Sequence, residues 1–144
     1  RFPWLGDVDV VGISAYYTVS SPEDRSLDAM KKAWLSKVEI LEKCHEYYGK
    51  PVMFAEIGVR NEQGSTQYPY DFTHRPDVPF DEDEQADFYE SAMWATWDKP
   101  WFSGYFWWDW KAILPPEEKA HENKDFTVYG KKAESVLKKW YTKD

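Results

Sequence analysis

The 144-residue chain carries 26 acidic and 18 basic residues, a formal net charge of -8, and 19% aromatic residues, including nine Trp and ten Tyr. Its length predicts one domain with a substantial core. Its negative charge disfavours nucleic acid or an anionic membrane surface as a partner, and no apolar run has the length of a transmembrane helix. A neutral ligand fits better, and the surplus of aromatic rings suits flat neutral ligands such as sugars.

The sequence does not indicate a cellular compartment. No signal peptide opens it, and it begins at Arg1 rather than at Met, which predicts a processed, trimmed or partial product. The single cysteine, Cys44, excludes an internal disulfide. Because it lies at an apolar position of a helical pattern, we expect a buried small side chain rather than a nucleophile. Secreted and cytoplasmic locations both stay open.

The first predicted strand covers residues 9–17 and ends in two tyrosines, Tyr16 and Tyr17. Ser21 and Pro22 follow with the chemistry of a helix start, as N-cap and first helical residue.

A long amphipathic helix is predicted from Leu27 until Gly49 stops it. We interpret His45 as a packed or surface histidine rather than a catalytic one, because nothing nearby in the sequence orients it. The apolar residues recur at spacings of three and four, which places them on one face: Leu27, Met30, Trp34, Val38, Leu41, His45 and Tyr48.

The second predicted strand carries the residue of greatest chemical interest. Val52 to Ala55 are apolar without a break, which indicates a strand buried on both faces, and Glu56 follows at its C-terminal end. The helical crossover before it favours parallel pairing with the first strand. In α/β folds chemistry collects at the C-terminal ends of strands, so Glu56 is a candidate nucleophile or general acid/base. The alternative is an exposed Glu at a strand-to-loop junction.

The rest of the chain predicts two more helices and one more strand. The polar loop over residues 59–80 has too many breakers for a regular element, and loops of this length are usually functional. Asp81 and Glu84 form a D-x-x-E capping box that opens the second helix. Residues 101–110 form a third, largely aromatic strand, and residues 129–140 a final amphipathic helix. The predicted order is βαβαβα, an α/β fold.

No pattern predicts a cofactor or a metal ion. No Gly-rich phosphate loop follows any strand. His74 and His121 lie in loops without a second ligand at a helical or hairpin spacing, so we expect both to be solvated.

Five segments, in order and at plausible βα spacing, carry a family resemblance: residues 10–17, 54–61, 85–86, 104–110 and 129–133. Together they resemble the C-terminal part of a clan-A glycoside hydrolase, a (β/α)8 barrel, and most closely the endo-β-1,4-mannanase-like glycoside hydrolase family 113. The resemblance implies that the three strands are the sixth, seventh and eighth of a barrel of parallel strands.

The resemblance implies roles for individual residues. Glu56 corresponds to the catalytic nucleophile of a retaining glycosidase, which works with a second carboxyl group about 5–5.5 Å away. A tyrosine after the preceding strand, Tyr16 or Tyr17, would orient this carboxylate and keep it ionised, and the alternation of side chains leaves open which one. Both tyrosines and Arg60 are expected to contact substrate.

On the third strand, alternate residues face opposite ways, so Trp108 and Trp110 share one side and Trp107 lies on the other. The resemblance favours Trp108 as the floor of the sugar site, with Trp110 beside it. The alternative is that these tryptophans pack against the helical layer, which we expect for Trp107.

The sequence departs from the family in its acid/base. In this clan that residue is a Glu, typically after Asn, at the end of strand four, whereas the resemblance begins just before strand six. Asn61-Glu62 has the dipeptide, but no strand leads into it, so we interpret it as coincidence. A complete barrel takes about 250 residues. We therefore expect residues 1–144, the C-terminal part of a catalytic domain, to be inactive alone and to associate with themselves or with a complementing N-terminal barrel fragment.

Three functions are consistent with these patterns. The first is a fragment of a retaining glycoside hydrolase acting on β-1,4-linked polysaccharide, with mannan implied by the resemblance. The second is a non-catalytic carbohydrate-binding or scaffold domain that keeps the aromatic platform. The third is an unrelated structural α/β domain, which leaves the positions of Glu56 and the tryptophans unexplained.

Overall fold

The computed structural model describes residues 2–73 and 75–143, so the expectation for His74 lies outside the described residues. It contains a three-stranded sheet in the order β1 (Val11–Ser14), β2 (Val52–Ile57), β3 (Phe102–Trp107), with both pairs parallel. The predicted strands, their order and their parallel pairing are confirmed. β1 and β3 are shorter at both ends than the predicted segments 9–17 and 101–110, because the backbone there leaves the sheet and enters the neighbouring loops, whereas β2 extends one residue past Glu56.

Helix α1 (Leu27–Tyr48) follows β1, and Gly49 ends it in the left-handed conformation, as its sequence predicts. The predicted start at Leu27 is confirmed, but the assignment of Ser21 as N-cap and Pro22 as first helical residue was wrong. The N-cap is Ser26, whose side chain accepts from the Ala29 amide. Ser21 instead closes an earlier turn, in which its hydroxyl accepts from the Asp24 amide.

The core lies between the sheet and the helices. Trp34 of α1 is fully buried and packs against Phe54 of β2 and Phe88, with ring centroids 5.8 and 5.9 Å away. The predicted apolar face of α1 is confirmed for its four central members, Met30, Trp34, Val38 and Leu41, which are all buried. The interdigitation of these large side chains supplies most of the apolar burial that holds the sheet to the helical layer.

Two residues of α1 with reactive side chains have packing roles. His45 stacks on Trp101 with ring centroids 6.0 Å apart, and its Nδ1 lies 2.8 Å from the Lys50 carbonyl oxygen. Cys44 is a free thiol, half-buried against the core, and burial raises its pKa. Neither is placed for chemistry, as the sequence indicates.

Two further helices complete the described chain. Helix α2 (Glu82–Thr96) is capped by Asp81, whose side chain accepts from the Glu84 amide as predicted. Helix α3 (Lys132–Tyr141) packs against α2 and starts later than predicted, after Gly130 turns the chain at a φ of 67°. Short 3₁₀ helices occur at Pro3–Gly6 and Glu117–Glu122. None of the described helices has the length and apolarity needed to cross a membrane.

The face of the sheet opposite the helices, here called the inner face, has no covering layer within the described residues. Its side chains are mostly small, apart from Phe106, and they are exposed: Gly12, Ser14, Ala55, Ser103 and Phe106. Since β1 and β3 are the outer strands, each also has one edge without a pairing partner in the described sheet.

Candidate active site

Glu56 is the penultimate residue of β2 and lies half-buried at the C-terminal edge of the sheet. Its backbone oxygen accepts a 2.7 Å hydrogen bond from the Ala15 amide, which follows the last residue of β1. This bond fixes the first residues after β1 next to Glu56, so the chain passes from Ala15 into Tyr16 beside the carboxylate.

Tyr16 is the tyrosine that lies beside Glu56. Burial raises the pKa of Tyr16, and the negative charge of the neighbouring Glu56 raises it further, so the phenol stays protonated at neutral pH. The buried hydroxyl forms no well-aligned hydrogen bond with any described protein group. It is therefore available as a donor to the neighbouring Glu56 carboxylate.

Tyr17 lies on the other side of the chain from Tyr16. Its ring makes an edge contact with Trp34 of the core at 5.8 Å, and the Lys37 ammonium lies 5.9 Å from its centroid. These neighbours belong to α1, so Tyr17 faces the helical layer, and only Tyr16 stays in our proposal for substrate contact.

Trp108 is held close to Glu56 by the backbone. Its amide donates a 2.7 Å hydrogen bond to the Ile57 carbonyl, and its carbonyl oxygen lies against Gly58, where the Cβ of any other residue would overlap it. Gly58 thus allows the chain after β3 to approach the chain after β2. The peptide bond from Trp108 to Asp109 is cis.

The tryptophans of this segment divide as their alternation predicts. The Trp108 and Trp110 side chains are both exposed, and Trp110 makes an edge contact with Tyr129 at 6.1 Å. Trp107 instead stacks on Tyr89 of α2 at 4.4 Å. The helical-layer position expected for Trp107 is confirmed, and the other two rings are free to meet a ligand.

Asp109 belongs to the same region, although the sequence analysis gave it no role. One carboxylate oxygen lies 2.6 Å from the Lys111 ammonium, and the other is buried without a partner among the described residues. Its charge contributes to the raised pKa of Tyr16 and of Tyr89. The sequence feature that could have indicated Asp109 is its position as the one carboxylate in the aromatic run 105–110, on the side of the predicted strand opposite Trp108.

Arg60 is buried and its donors are used by the loop after β2. Its guanidinium donates to the carbonyl oxygens of Phe72 and Thr73, at 3.2 and 3.1 Å, and lies 3.5 Å from the fully buried Glu62. Arg75 approaches the same carboxylate at 2.7 Å. Substrate contact by Arg60 stays a prediction, but its visible role is to hold this loop. Glu62 is enclosed by two arginines, which agrees with reading Asn61-Glu62 as coincidence.

A second buried carboxylate, Glu84 of α2, organises the other half of the loop. It accepts hydrogen bonds from the Gly64 and Thr66 amides, at 2.8 and 2.9 Å, and from the Thr66 hydroxyl at 2.6 Å. The loop is therefore built around charged hydrogen bonds rather than around an apolar core, and such bonds are stronger than neutral ones.

A cavity of about 500 Å³ lies between this loop and the segment after β3. The Lys124 ammonium closes one side by donating to the carbonyl oxygens of Arg75, Pro76 and Val78. The lining includes Arg60, Asp77, Phe80, Glu122, Lys124 and Asp125. No group of three or more potential ligands in the described part of the chain could hold a metal ion, and His121 is exposed.

Three parallel βα units in one sheet, with Glu56, Tyr16 and exposed tryptophans at one edge, have the architecture of part of an α/β barrel. The model of Glycoside Hydrolase Family 113 matches residues 1–131. The chain therefore belongs to glycoside hydrolase family 113, and its three units are the C-terminal ones of a (β/α)8 barrel. No curated protein matches the chain.

Solved structures agree with this assignment. A family 113 β-mannanase from Alicyclobacillus acidocaldarius is 34% identical, with a TM-score of 0.77, over 93% of this chain and 39% of that chain. A second family 113 β-1,4-mannanase is 28% identical, with a TM-score of 0.82, over 99% and 41%. The chain thus spans about two fifths of the length of these mannanases. A β-glucuronidase from Bifidobacterium dentium, at 23% identity and a TM-score of 0.57, shares the fold alone.

Proposed function

We propose that residues 1–144 are the C-terminal part of the catalytic domain of a retaining glycoside hydrolase that cleaves β-1,4-mannan, with Glu56 as its nucleophile. The observation that carries the proposal is the position of Glu56 at the C-terminal end of β2, beside Tyr16 and Trp108, in a chain of family 113. The mannan substrate is supported by the two mannanases of this family described above.

The proposed reaction assigns each group a separate task. The Glu56 carboxylate attacks the anomeric carbon and forms a covalent glycosyl-enzyme, which water then hydrolyses. The protonated Tyr16 hydroxyl donates to this carboxylate and directs its free oxygen toward the sugar. Trp108, with Trp110 beside it, offers an exposed aromatic surface against which a neutral sugar ring stacks.

The acid that protonates the leaving oxygen is proposed to come from the portion of the barrel that this chain does not span. Glu62, the carboxylate nearest along the loop, is fully buried between Arg60 and Arg75 and cannot reach a glycosidic oxygen. Without a proton donor the leaving group departs too slowly for useful turnover. We therefore expect activity only in an assembled barrel, defined here as this chain together with the remaining strands.

The test of Glu56 is covalent labelling. In the assembled barrel, Glu56→Gln keeps the shape of the side chain but loses the nucleophile, so we expect turnover to fall by at least about 10³-fold. A fluorosugar inactivator should label Glu56 in the unsubstituted protein, as read by mass spectrometry of its peptides. Glu39→Gln, on the exposed face of α1, is the matched control and should keep full activity. Label on another residue, or undiminished turnover in Glu56→Gln, would overturn the assignment.

A non-catalytic carbohydrate-binding domain is the second candidate, and the exposed Trp108 and Trp110 side chains favour it because binding needs no acid/base. The same experiment separates the two functions. A binding domain would hold manno-oligosaccharides in the assembled form without turnover and without a covalent intermediate.

A further inference from the structure

We propose that three aromatic residues of the loop after β2, Tyr68, Tyr70 and Phe72, form a ledge that binds the polysaccharide chain beyond the sugar attacked by Glu56. This aromatic ledge deepens the proposed function and rests on it. It implies that the substrate is a polymer and that several of its sugar units contribute to the binding energy.

The ledge consists of large apolar side chains that the fold displays rather than buries. Tyr68, Tyr70 and Phe72 occupy alternate positions and are 48%, 57% and 55% exposed. The first two rings make an edge contact at 6.5 Å, so they form a continuous aromatic surface. Contiguous exposed aromatic surface on a folded domain typically marks a ligand site.

The backbone beneath the ledge is held on both sides by hydrogen bonds. Before it, the Thr66 amide donates to the buried Glu84, and the Thr18 hydroxyl donates to the Gln67 carbonyl at 2.8 Å. At its far end, the buried Arg60 donates to the Phe72 carbonyl. Aromatic rings on a backbone already fixed in this way lose little conformational freedom when they bind, which favours affinity.

The ledge is continuous with the candidate active site. The Phe72 ring makes an edge contact with Tyr16 at 6.1 Å, and Tyr16 lies beside Glu56. Phe72 also packs on Phe126 at 5.2 Å, which joins the ledge to the segment after β3. Phe72 follows Tyr70 by two positions, so the chain leads from the Tyr68–Tyr70 pair to Phe72 and from there, by ring contact, to Tyr16 beside Glu56.

The chemistry of the ledge selects a neutral glycan as its occupant. The ledge offers stacking and two phenol groups. Hydrogen bonds within the loop lower the pKa of Asp71, and the charges of Arg75 and Arg60 reach it and lower its pKa further. Both arginines are paired with the buried Glu62, so the ledge itself presents no cation of its own to a uronic acid. The only charged side chain within residues 68–72 is Asp71, and the whole chain carries a net charge of -8. This negative charge would repel a polyanionic glycan, whereas it would not weaken the binding of an uncharged β-linked chain.

The experiment compares long and short substrates in the assembled barrel. We expect the double substitution Tyr68→Ala with Tyr70→Ala to lower kcat/KM about tenfold or more on a β-1,4-linked mannose hexamer, because two stacking surfaces are lost. The rate on the trimer, which offers fewer sugar units to the ledge while it occupies the cleavage site, should change less than twofold. That unchanged rate also reports that the variant is folded. Trp94→Ala, which removes a 43% exposed ring from α2, is the matched control and should leave both substrates unaffected.

If the double variant lost kcat/KM equally on trimer and hexamer, or lost none on either, the proposed binding role of the ledge would be overturned. Failure of the proposed function has a different signature, namely an unsubstituted barrel that turns over no β-1,4-mannan substrate. In that case calorimetric binding of the hexamer still decides: weaker binding by the double variant supports the ledge, and equal or absent binding overturns it. Tighter binding of an acidic glycan than of the mannose hexamer would also overturn it.

Discussion

Gly58 links the candidate nucleophile to the sugar platform at the scale of a single residue. It follows Glu56 by two positions, and the Trp108 carbonyl oxygen occupies the space where its Cβ would lie. Any side chain here would push the two loops apart and with them Glu56 and Trp108. Glycine is therefore needed for the spacing of the site rather than for a special backbone angle.

We expect Gly58→Ala to destabilise the protein by about 1–3 kcal/mol, since the added methyl group overlaps a backbone atom that side-chain movement cannot clear. The kcat of the assembled barrel should also fall under conditions where the variant stays folded, because displacement of Trp108 misplaces the sugar. Gly6→Ala is the control, since a Cβ there meets no atom within 4 Å. Thermal unfolding measures the loss of stability, and kcat measures the loss of activity. Full activity in Gly58→Ala would contradict the proposed role of Gly58.

Trp108 should contribute to binding more than to chemistry. We expect Trp108→Ala to raise KM about 10- to 100-fold with a smaller change in kcat, because stacking is present in the bound substrate as well as in the transition state. Steady-state kinetics on mannan oligomers provide the measurement, with Trp94→Ala as control. A variant with normal KM and reduced kcat would show that Trp108 acts on the reacting carbon instead.

The apolar run before Glu56 and the family resemblance together made this carboxylate a candidate, and its role as nucleophile stays a prediction. It could not decide between Tyr16 and Tyr17, since alternation gives two sides without saying which one faces the helices. Asp109 was missed for a related reason. Its importance comes from the groups that surround it in space, Tyr16 and Tyr89, which are 93 and 20 positions away along the chain.

At the scale of elements, the loop between β2 and α2 differs most from its sequence-based prediction. Its breakers correctly predicted a segment without helix or strand in its described residues, but they gave no sign of buried charges. The structure instead buries Glu62 against two arginines and directs Glu84 at the loop backbone. The contacts of Glu62 with Arg75 and of Glu84 with Gly64 and Thr66 join residues 13 to 20 positions apart and depend on the folded path of the loop, so no local sequence pattern predicts them. The same limit explains why Ser21 was mistaken for the cap that Ser26 provides.

Lys131, the residue before α3, is a buried ammonium at the start of a helix. It is 3% exposed and donates to the Asp125 carbonyl at 3.1 Å, and burial lowers its pKa from 10.5 to about 8 despite nearby carboxylates. A positive charge at a helix N-terminus also opposes the helix dipole. The charged form is therefore less favourable in the folded protein than in the unfolded chain.

We expect Lys131→Met to increase the free energy of unfolding at pH 7 by at most on the order of 3 kcal/mol. The unfolded chain binds the proton more tightly, so the stability contributed by Lys131 rises between pH 8 and 10.5 as the folded side chain becomes neutral. The advantage of Lys131→Met should accordingly shrink as pH increases through that interval. Denaturant unfolding from pH 7 to 9.5 checks this trend. Lys132→Met, at the exposed neighbour, should show no comparable pH dependence.

At the scale of the whole molecule, the chain forms a coherent layer of sheet and helix with one face left open. The helices cover one side of the sheet, while the inner face and both outer edges have no partner in the described residues. The chain spans about two fifths of the mannanases it matches. The remaining strands of a barrel would cover this face and pair with these edges.

We expect the chain alone to show no glycosidase turnover and to associate through its inner face. Mixed with the complementing N-terminal part of a family 113 barrel, it should become active, because the missing acid/base and the missing strands arrive together. Light scattering and activity on mannan provide the measurements. A monodisperse monomer at high concentration that binds no hydrophobic dye would contradict the first expectation, and turnover by the chain alone would contradict the second.

The outer edges of β1 and β3, which have no partner in the described sheet, have a practical consequence. A barrel divided before β1 would break no helix or strand of this chain, and the nucleophile would lie on one part and the proton donor on the other. We expect neither part to hydrolyse a glycan until both are joined. Fused to two proteins whose association is of interest, such a divided enzyme would act as a split reporter, with sugar release as a signal that is amplified by turnover and silent in each half.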